Sequence, residues 1–228
     1  VSIFAYAQTP NLGAPFISNF DSKSYKAHNQ NWSAVQDARG VVYIGNSLGV
    51  LEFDGQRWNL IPLKGNGTVR TLSIAKDGTI FYGSIGEFGY LTTSQTGKVE
   101  AVSLNNLIPT VGATFNDIWQ IEITHQGVYF FTRASIYRYH DGKITILSGK
   151  LANSQVTVLN DTIFYADADL GLSLIDGDQV QAIPQLASVY NGQRIALTPF
   201  ATHEILVGRL SGDFLRLDLT TLWDASNK

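Results

Sequence analysis

The chain has no cysteine and no methionine, and it is short of proline, histidine and charge: six prolines, four histidines and 15% charged residues in 228. Each shortage excludes something. Without cysteine there is no disulfide, no thiolate-ligated zinc and no cysteine nucleophile. The net charge of −3 offers no basic face of the kind that nucleic acid requires. No apolar run approaches about 20 residues, so no membrane-spanning helix and no membrane contact are expected in this segment. His28, His125, His140 and His203 are scattered without a His-x-x-x-His pair, whereas zinc needs three or four converging ligands. Asp167-Ala-Asp169 and Asp176-Gly-Asp178 do not continue into the acidic spacing of a calcium loop. Gly65-Asn-Gly67 and Gly83-Ser-Ile-Gly86 lack the lysine of a phosphate loop. There is no Gly-x-Ser-x-Gly nucleophile elbow. No metal, no cofactor and no catalytic residue are therefore expected. Nor does any segment hold a helical period.

Glycine and aromatic residues are plentiful: 21 Gly, 12 Phe, 10 Tyr and 4 Trp. They recur in a pattern. Its clearest copy runs Trp32-Ser-Ala-Val-Gln-Asp-Ala-Arg-Gly40, Val41-Val-Tyr-Ile-Gly45 and Leu48-Gly-Val-Leu-Glu-Phe-Asp-Gly55. Aligning Gly45 with Gly83, Thr132, Ala166 and Gly208 gives steps of 38, 49, 34 and 42 residues. The mean, about 41, falls in the range of a four-stranded propeller blade. Asp54-Gly55, Asp141-Gly142 and Asp176-Gly177 mark a second common point, where both residue types tolerate the positive φ of a tight hairpin.

This period predicts an all-β chain: a β-propeller of about five four-stranded blades. The blades fall at about 31–63, 67–104, 116–148, 154–184 and 193–222. Most such rings hold six to eight blades, so the array reads as part of a larger propeller, of the seven-bladed type, cut at its C-terminus; a closed five-bladed ring is the alternative. Val1-Ser-Ile-Phe-Ala5-Tyr-Ala7-Gln8 reads as the tail of a secretory signal peptide. That assigns 1–12 to a signal remnant and N-terminal segment, and 13–228 to the propeller.

The same residues carry a family resemblance. Asn31-Trp-Ser-Ala-Val-Gln-Asp37, Gly40-Val-Val-Tyr-Ile-Gly-Asn46 and Leu48-Gly-Val-Leu-Glu-Phe-Asp-Gly55 resemble the two-component regulator propeller repeat. The likeness is close over 13–63 and good over 116–148, and it is degenerate over 67–104 and 154–222. Repeat four lacks the Gly of the strand motif, and repeat five lacks Asp-Gly. The resemblance implies a periplasmic sensor region of an inner-membrane receptor, dimeric at full length, whose missing cytoplasmic part is a histidine kinase or diguanylate cyclase. On that reading this segment is not itself an enzyme.

Equivalent blade positions lie at one height around an axis, so polar residues recurring there should share a face. The position after the aromatic-x-Gly strand reads Asn46, Ser84, Arg133, Asp167 and Arg209, with Glu87, Asp169 and Ser211 in the same turns. The starts of the first strands carry Trp32, Arg70, Trp119, Gln155 and Arg194. A polar ring with tryptophan walls suits a small molecule, an oligosaccharide among them, or a peptide of a periplasmic partner protein, through stacking on Trp and bidentate contacts from Arg. Two other readings stay open. A polysaccharide lyase or glycoside hydrolase would use Glu87, Asp167 and Asp169 as acid and base. A protein-interaction or dimerisation scaffold would depend on Arg133 and Arg209.

Overall fold

The computed structural model of the chain describes residue 13 and residues 17–65, 67–109, 117–152, 155–190 and 192–220. The signal-like stretch and the residues from 221 onward lie outside the described residues. The protein is a β-propeller, and the described strands form five antiparallel sheets, each a meander of consecutive strands. Sheet one holds β1 (Asn31–Gln36), β2 (Val42–Asn46), β3 (Gly49–Phe53) and β4 (Trp58–Ile61). Sheet two holds β5 (Val69–Ile74), β6 (Ile80–Ser84), β7 (Phe88–Thr93) and β8 (Val99–Ser103). Sheet three holds β9 (Gln120–Thr124), β10 (Gly127–Phe131), β11 (Ile136–His140) and β12 (Lys143–Leu147). Sheet four holds β13 (Thr157–Leu159), β14 (Thr162–Asp167), β15 (Gly171–Asp176) and β16 (Gln179–Ala182). Sheet five has three strands among the described residues: β17 (Ile195–Ala201), β18 (Glu204–Arg209) and β19 (Phe214–Asp218). The strands of the five sheets span 31–61, 69–103, 120–147, 157–182 and 195–218.

Side chains alternate across the second strand of each sheet, and that alternation builds the core. Tyr82 of β6 packs toward sheet one, with Tyr43, Val50 and Ile61. Its neighbour Phe81 packs toward sheet three, with Phe130 and Tyr137. Along β10, Phe130 takes the sheet-two side while Tyr129 and Phe131 meet Ile163 and Tyr165 of sheet four. Along β14, Phe164 joins Leu197 and Val207 of sheet five. Both faces of a middle sheet are thus dry. This explains why these strands read as continuous apolar runs rather than as polar–apolar alternation. Each fully buried large side chain contributes about 1.5–3 kcal/mol, so the joints between sheets, not the sheets alone, hold the array together.

The inner wall is made by the first strands. β1 packs on β5, β5 on β9, β9 on β13 and β13 on β17. At the first joint a Cβ on Gly45 would sit 3.0 Å from Val69 of β5, and at the second a Cβ on Gly83 would sit 2.4 Å from Ile118. Glycine is therefore needed where the next sheet's lead-in crosses β2 and β6. The β11–β12 hairpin bears out the other glycine landmark: Asp141 and Gly142 both have positive φ, 47° and 73°, as a two-residue turn of this kind needs. The only α-helices among the described residues are single turns, α1 (Ser22–Tyr25) and α2 (Ala187–Tyr190).

Candidate functional site

The starts of β1 and β5 share a local device. Asn31 pairs with Asn46 and Ser33 with Gly45, leaving Trp32 as an extra residue. Val69 pairs with Ser84 and Thr71 with Gly83, leaving Arg70 in the same place. A bulge turns the extra side chain out of the pleat. In sheet three Trp119 stands just ahead of β9, tied by its N–H to the Phe131 carbonyl at 2.8 Å.

These side chains meet across sheets. The Arg70 guanidinium carbon lies 4.0 Å from the Trp32 ring centroid and 5.2 Å from that of Trp119. The Arg133 guanidinium lies 5.0 Å from Trp119. The result is a ladder, Trp32–Arg70–Trp119–Arg133, crossing sheets one to three at one end of the inner strands. Each contact contributes about 0.5–2 kcal/mol, more where water is excluded. Asp117 approaches Arg70 Nε at 3.6 Å, too long for a hydrogen bond, and both atoms are buried without a hydrogen-bond partner among the described residues. Asp117 was not distinguishable in the sequence, because no landmark of the repeat includes it.

The ladder runs into a cavity of 630 Å³ between sheets three, four and five. Trp119 and Arg133 line one side, Arg194 and Arg209 the other, with Leu151 and Phe214 as apolar wall. Two of these, Leu151 and Phe214, were not among the residues expected there; as single apolar residues they carry no sequence signal of a site. Arg209 is partly engaged: its Nε donates to Asp213 Oδ1 at 3.1 Å. Hydrogen bonds from the Arg209 guanidinium and the Ser211 hydroxyl hold the Asp213 carboxyl down at about 2. Arg133 and Arg194 are exposed and have no acidic partner among the described residues.

Other expected site residues lie elsewhere. Asn46 is fully buried; its amide donates to the His28 carbonyl at 2.6 Å and its Oδ1 accepts from Leu48 N–H at 3.0 Å. Asp167 is 1% exposed and accepts from Lys150, Asp169 and Leu170 N–H and from the Tyr165 hydroxyl. Glu87 is 5% exposed and accepts from Gly65 N–H at 3.0 Å and from the Tyr82 hydroxyl at 3.1 Å. Burial pushes the Tyr82 and Tyr165 hydroxyls up, and the neighbouring carboxylates add to it. The expectation that Asn46, Glu87 and Asp167 present polar atoms to a ligand is corrected: the chain's own buried groups use those atoms. Asp169 is exposed and paired with Lys150 Nζ at 2.7 Å.

The alignment of sheet three is corrected too. Thr132 is 2% exposed, and its Oγ1 accepts from Ala134 and Ser135 N–H at 3.0 and 2.9 Å. It caps the turn as Asn46 and Asp167 do, so Thr132, not Arg133, is their counterpart. Phe131 then occupies the place of Gly45 and Gly83. Among the described residues no three His, Asp or Glu side chains come together as a metal would need. No helix of the described residues is long and apolar enough to cross a membrane.

Fold and inner wall together define a β-propeller with a cationic, aromatic-backed cavity at one end of its inner strands. No family model matches the sequence, and no curated protein matches it either. Solved structures do match. A virginiamycin B lyase from Staphylococcus aureus, a catalytically inactive variant bound to quinupristin, is similar at a TM-score of 0.53 and 14% identity, over 83% of this chain and 70% of that one. A chain of a mitotic checkpoint complex reaches a TM-score of 0.56 at 10% identity, over 97% of this chain and 72% of that one. A protein of unknown function from Bacteroides caccae gives a TM-score of 0.50 at 16% identity, over 83% and 78%. At such identities the likeness is one of fold.

Proposed function

We propose that this propeller is the ligand-sensing module of an exported bacterial signalling receptor, and that it binds its signal molecule at the inner-strand end of sheets three to five. The observation that carries the reading is the ladder Trp32–Arg70–Trp119–Arg133 running into a 630 Å³ cavity. Exposed tryptophan and arginine are the residue types most enriched at binding hot spots. Here they are held by bulges and stacking, not left as mobile surface chains. The repeat motif over 31–55 supports the receptor context, with the propeller outside the inner membrane and the output domain, kinase or cyclase, within the cell.

An acid–base enzyme has less to stand on. Two of the three carboxylates it would use, Glu87 and Asp167, are enclosed and bonded, and the third is ion-paired. A scaffold role makes a different prediction: Arg133→Ala and Arg209→Ala would lower the oligomeric state, whereas the sensing role leaves that state unchanged and removes binding.

Tryptophan fluorescence titration with a panel of oligosaccharides and short peptides tests the reading, since Trp32 and Trp119 are 43% and 38% exposed. A ligand that perturbs the native emission should lose at least tenfold in affinity against Trp119→Ala. Binding that is indifferent to both Trp119→Ala and Arg133→Ala puts the site elsewhere and ends the proposal. For the receptor context, a reading frame that continued past Lys228 without any membrane helix or signalling domain would count against it.

A further inference from the structure

Resting on that reading, we infer that the ligand is an oxyanion: a saccharide whose carboxylate or sulfate is gripped by Arg133 and Arg194 at the mouth of the cavity. The charge pattern carries this. Among the described residues three arginines line the cavity and no aspartate or glutamate does. Of these three, only Arg209 has a carboxylate partner among the described residues, Asp213. The charges of Arg133 and Arg194 thus meet no carboxylate among the described residues, in a chain whose net charge is −3. Like charges gathered without counter-charges repel one another, and an anion bound between them relieves that repulsion.

The ladder sharpens the chemistry. Trp119 has two guanidinium groups near its ring, those of Arg70 and Arg133. Its face is thus occupied by arginine, which departs from the expectation that tryptophan stacks directly on a ligand ring. A guanidinium set over an indole ring still has N–H groups to offer, and its planar fork matches a carboxylate or sulfate with two parallel hydrogen bonds. Trp32 and Trp119 act here as positioning residues, and the arginines make the contact. A ring to carry the oxyanion finds its apolar surface on Phe214, 70% exposed on the cavity wall that Leu151 also lines. Aromatic walls with a few fixed polar groups are the usual make-up of a small-ligand site.

Isothermal titration distinguishes the possibilities. The probes are an oligogalacturonate, a sulfated disaccharide, a neutral oligosaccharide of matching size and inorganic sulfate. Expected is binding of at least one acidic saccharide, at least tenfold tighter than the neutral one and weakening as salt rises from 0.05 to 0.5 M (about the range over which the screening length falls severalfold). Arg194→Ala should cost that probe tenfold or more. Arg194→Lys, which keeps the charge but not the fork, should cost less than Arg194→Ala and more than nothing. Which of the two acidic probes binds identifies carboxylate or sulfate as the recognised group. A neutral oligosaccharide that binds equally well, with affinity lost on Trp119→Ala but kept on Arg194→Ala, overturns the oxyanion and leaves the sensing site standing. Binding by none of the saccharides overturns the oxyanion inference, and the sensing site then stands or falls on the short peptides. Circular dichroism and urea midpoints of the two Arg194 variants, both changed at an exposed side chain, confirm that any loss is not loss of fold.

Discussion

The joints between sheets one, two and three and the joint between sheets three and four solve one packing problem in opposite ways. At the first two, glycine lets the next inner strand lie directly on the preceding sheet: Gly45 under Val69, Gly83 under Ile118. At the third, the equivalent place holds Phe131, whose ring is fully buried and 5.7 Å from that of Tyr165. The inner strands β9 and β13 accordingly meet over a smaller stretch than β1 and β5 do. Leu151 N–H still donates to the Thr132 carbonyl at 3.0 Å across this joint, and side chains add to it. Gln120 donates to the Val156 carbonyl at 2.8 Å and accepts from Val156 N–H at 2.9 Å. Farther out, Arg138 reaches Asp178 at 2.7 Å and Gln126 reaches Asp176 at 2.8 Å. Next to this joint, at the inner wall, the cavity opens between sheets three, four and five. The lesson is that a bulky departure from the repeat's glycine, Phe131 in sheet three, accompanies the opening of the site.

The severest way to break this comparison is to remove the wedge. Phe131→Ala deletes a fully buried ring from the core of the third joint, so a loss of about 3–5 kcal/mol is expected, read as a fall in the urea midpoint. A loss below about 1 kcal/mol would mean that sheets three and four close over the gap, and that Phe131 does not hold them apart.

The same substitution made in the two halves sharpens it further. Gly83→Ala puts a methyl 2.4 Å from a side-chain carbon of fully buried Ile118, and overpacking of that kind costs about 2–3 kcal/mol. At Gly208, in sheet five, the nearest atom is 3.2 Å away on the exposed ring of Phe214, which has room to turn. Gly208→Ala should therefore cost under about 1 kcal/mol. Equal costs at the two glycines would erase the distinction between a tight and an open half.

These particulars show what the sequence could and could not disclose. Hairpins with Asp-Gly, and strands ending in aromatic-x-Gly, are local chemistry, so the strands and the number of sheets were legible. Trp32, Arg70 and Trp119 were legible as inner-wall residues because each stands at the start of a first strand. The one-residue slip in sheet three was not, since Phe130-Phe131-Thr132 offers two threonine-compatible alignments and only burial separates them. Nor could a pattern of polar residues tell a buried turn cap such as Asn46 or Asp167 from a ligand contact. Both are polar at the same repeat position, and the difference lies in which backbone N–H groups happen to point at them.

The propped joint also carries a proton. Glu122 lies partly buried on β9 beside Gln120, whose amide donates to it at 2.8 Å. Burial pushes its carboxyl up to about 7 from an ordinary 4.5, against the smaller opposing effect of that hydrogen bond. The folded state therefore holds an extra proton between those two values. Its contribution to stability is complete below about pH 4.5 and is lost as the pH rises through 7. Glu122→Gln removes that loss, so the variant should match the native protein near pH 4.5 and exceed it by about 1–2 kcal/mol at pH 8. Urea titrations at the two values check this. A native stability that does not fall between them would show that the third joint is wetter than its packing indicates.

The smallest effect belongs to the rim of the open half. Lys150 and Asp169 face each other at 2.7 Å, with side chains 46% and 63% exposed. Their hydrogen bond raises the lysine. Water and salt screen a pair so exposed, and holding two flexible chains together offsets most of what remains. Asp169→Ala should leave the urea midpoint unchanged within error at 0.15 M salt. It should also leave the affinity for an acidic saccharide unchanged, because Asp169 does not line the cavity. A midpoint that fell as far as that of Gly83→Ala would mean that the rim, and not the wedge and Gln120, holds the open half together. Phe131→Ala and Asp169→Ala bracket that question from its two ends.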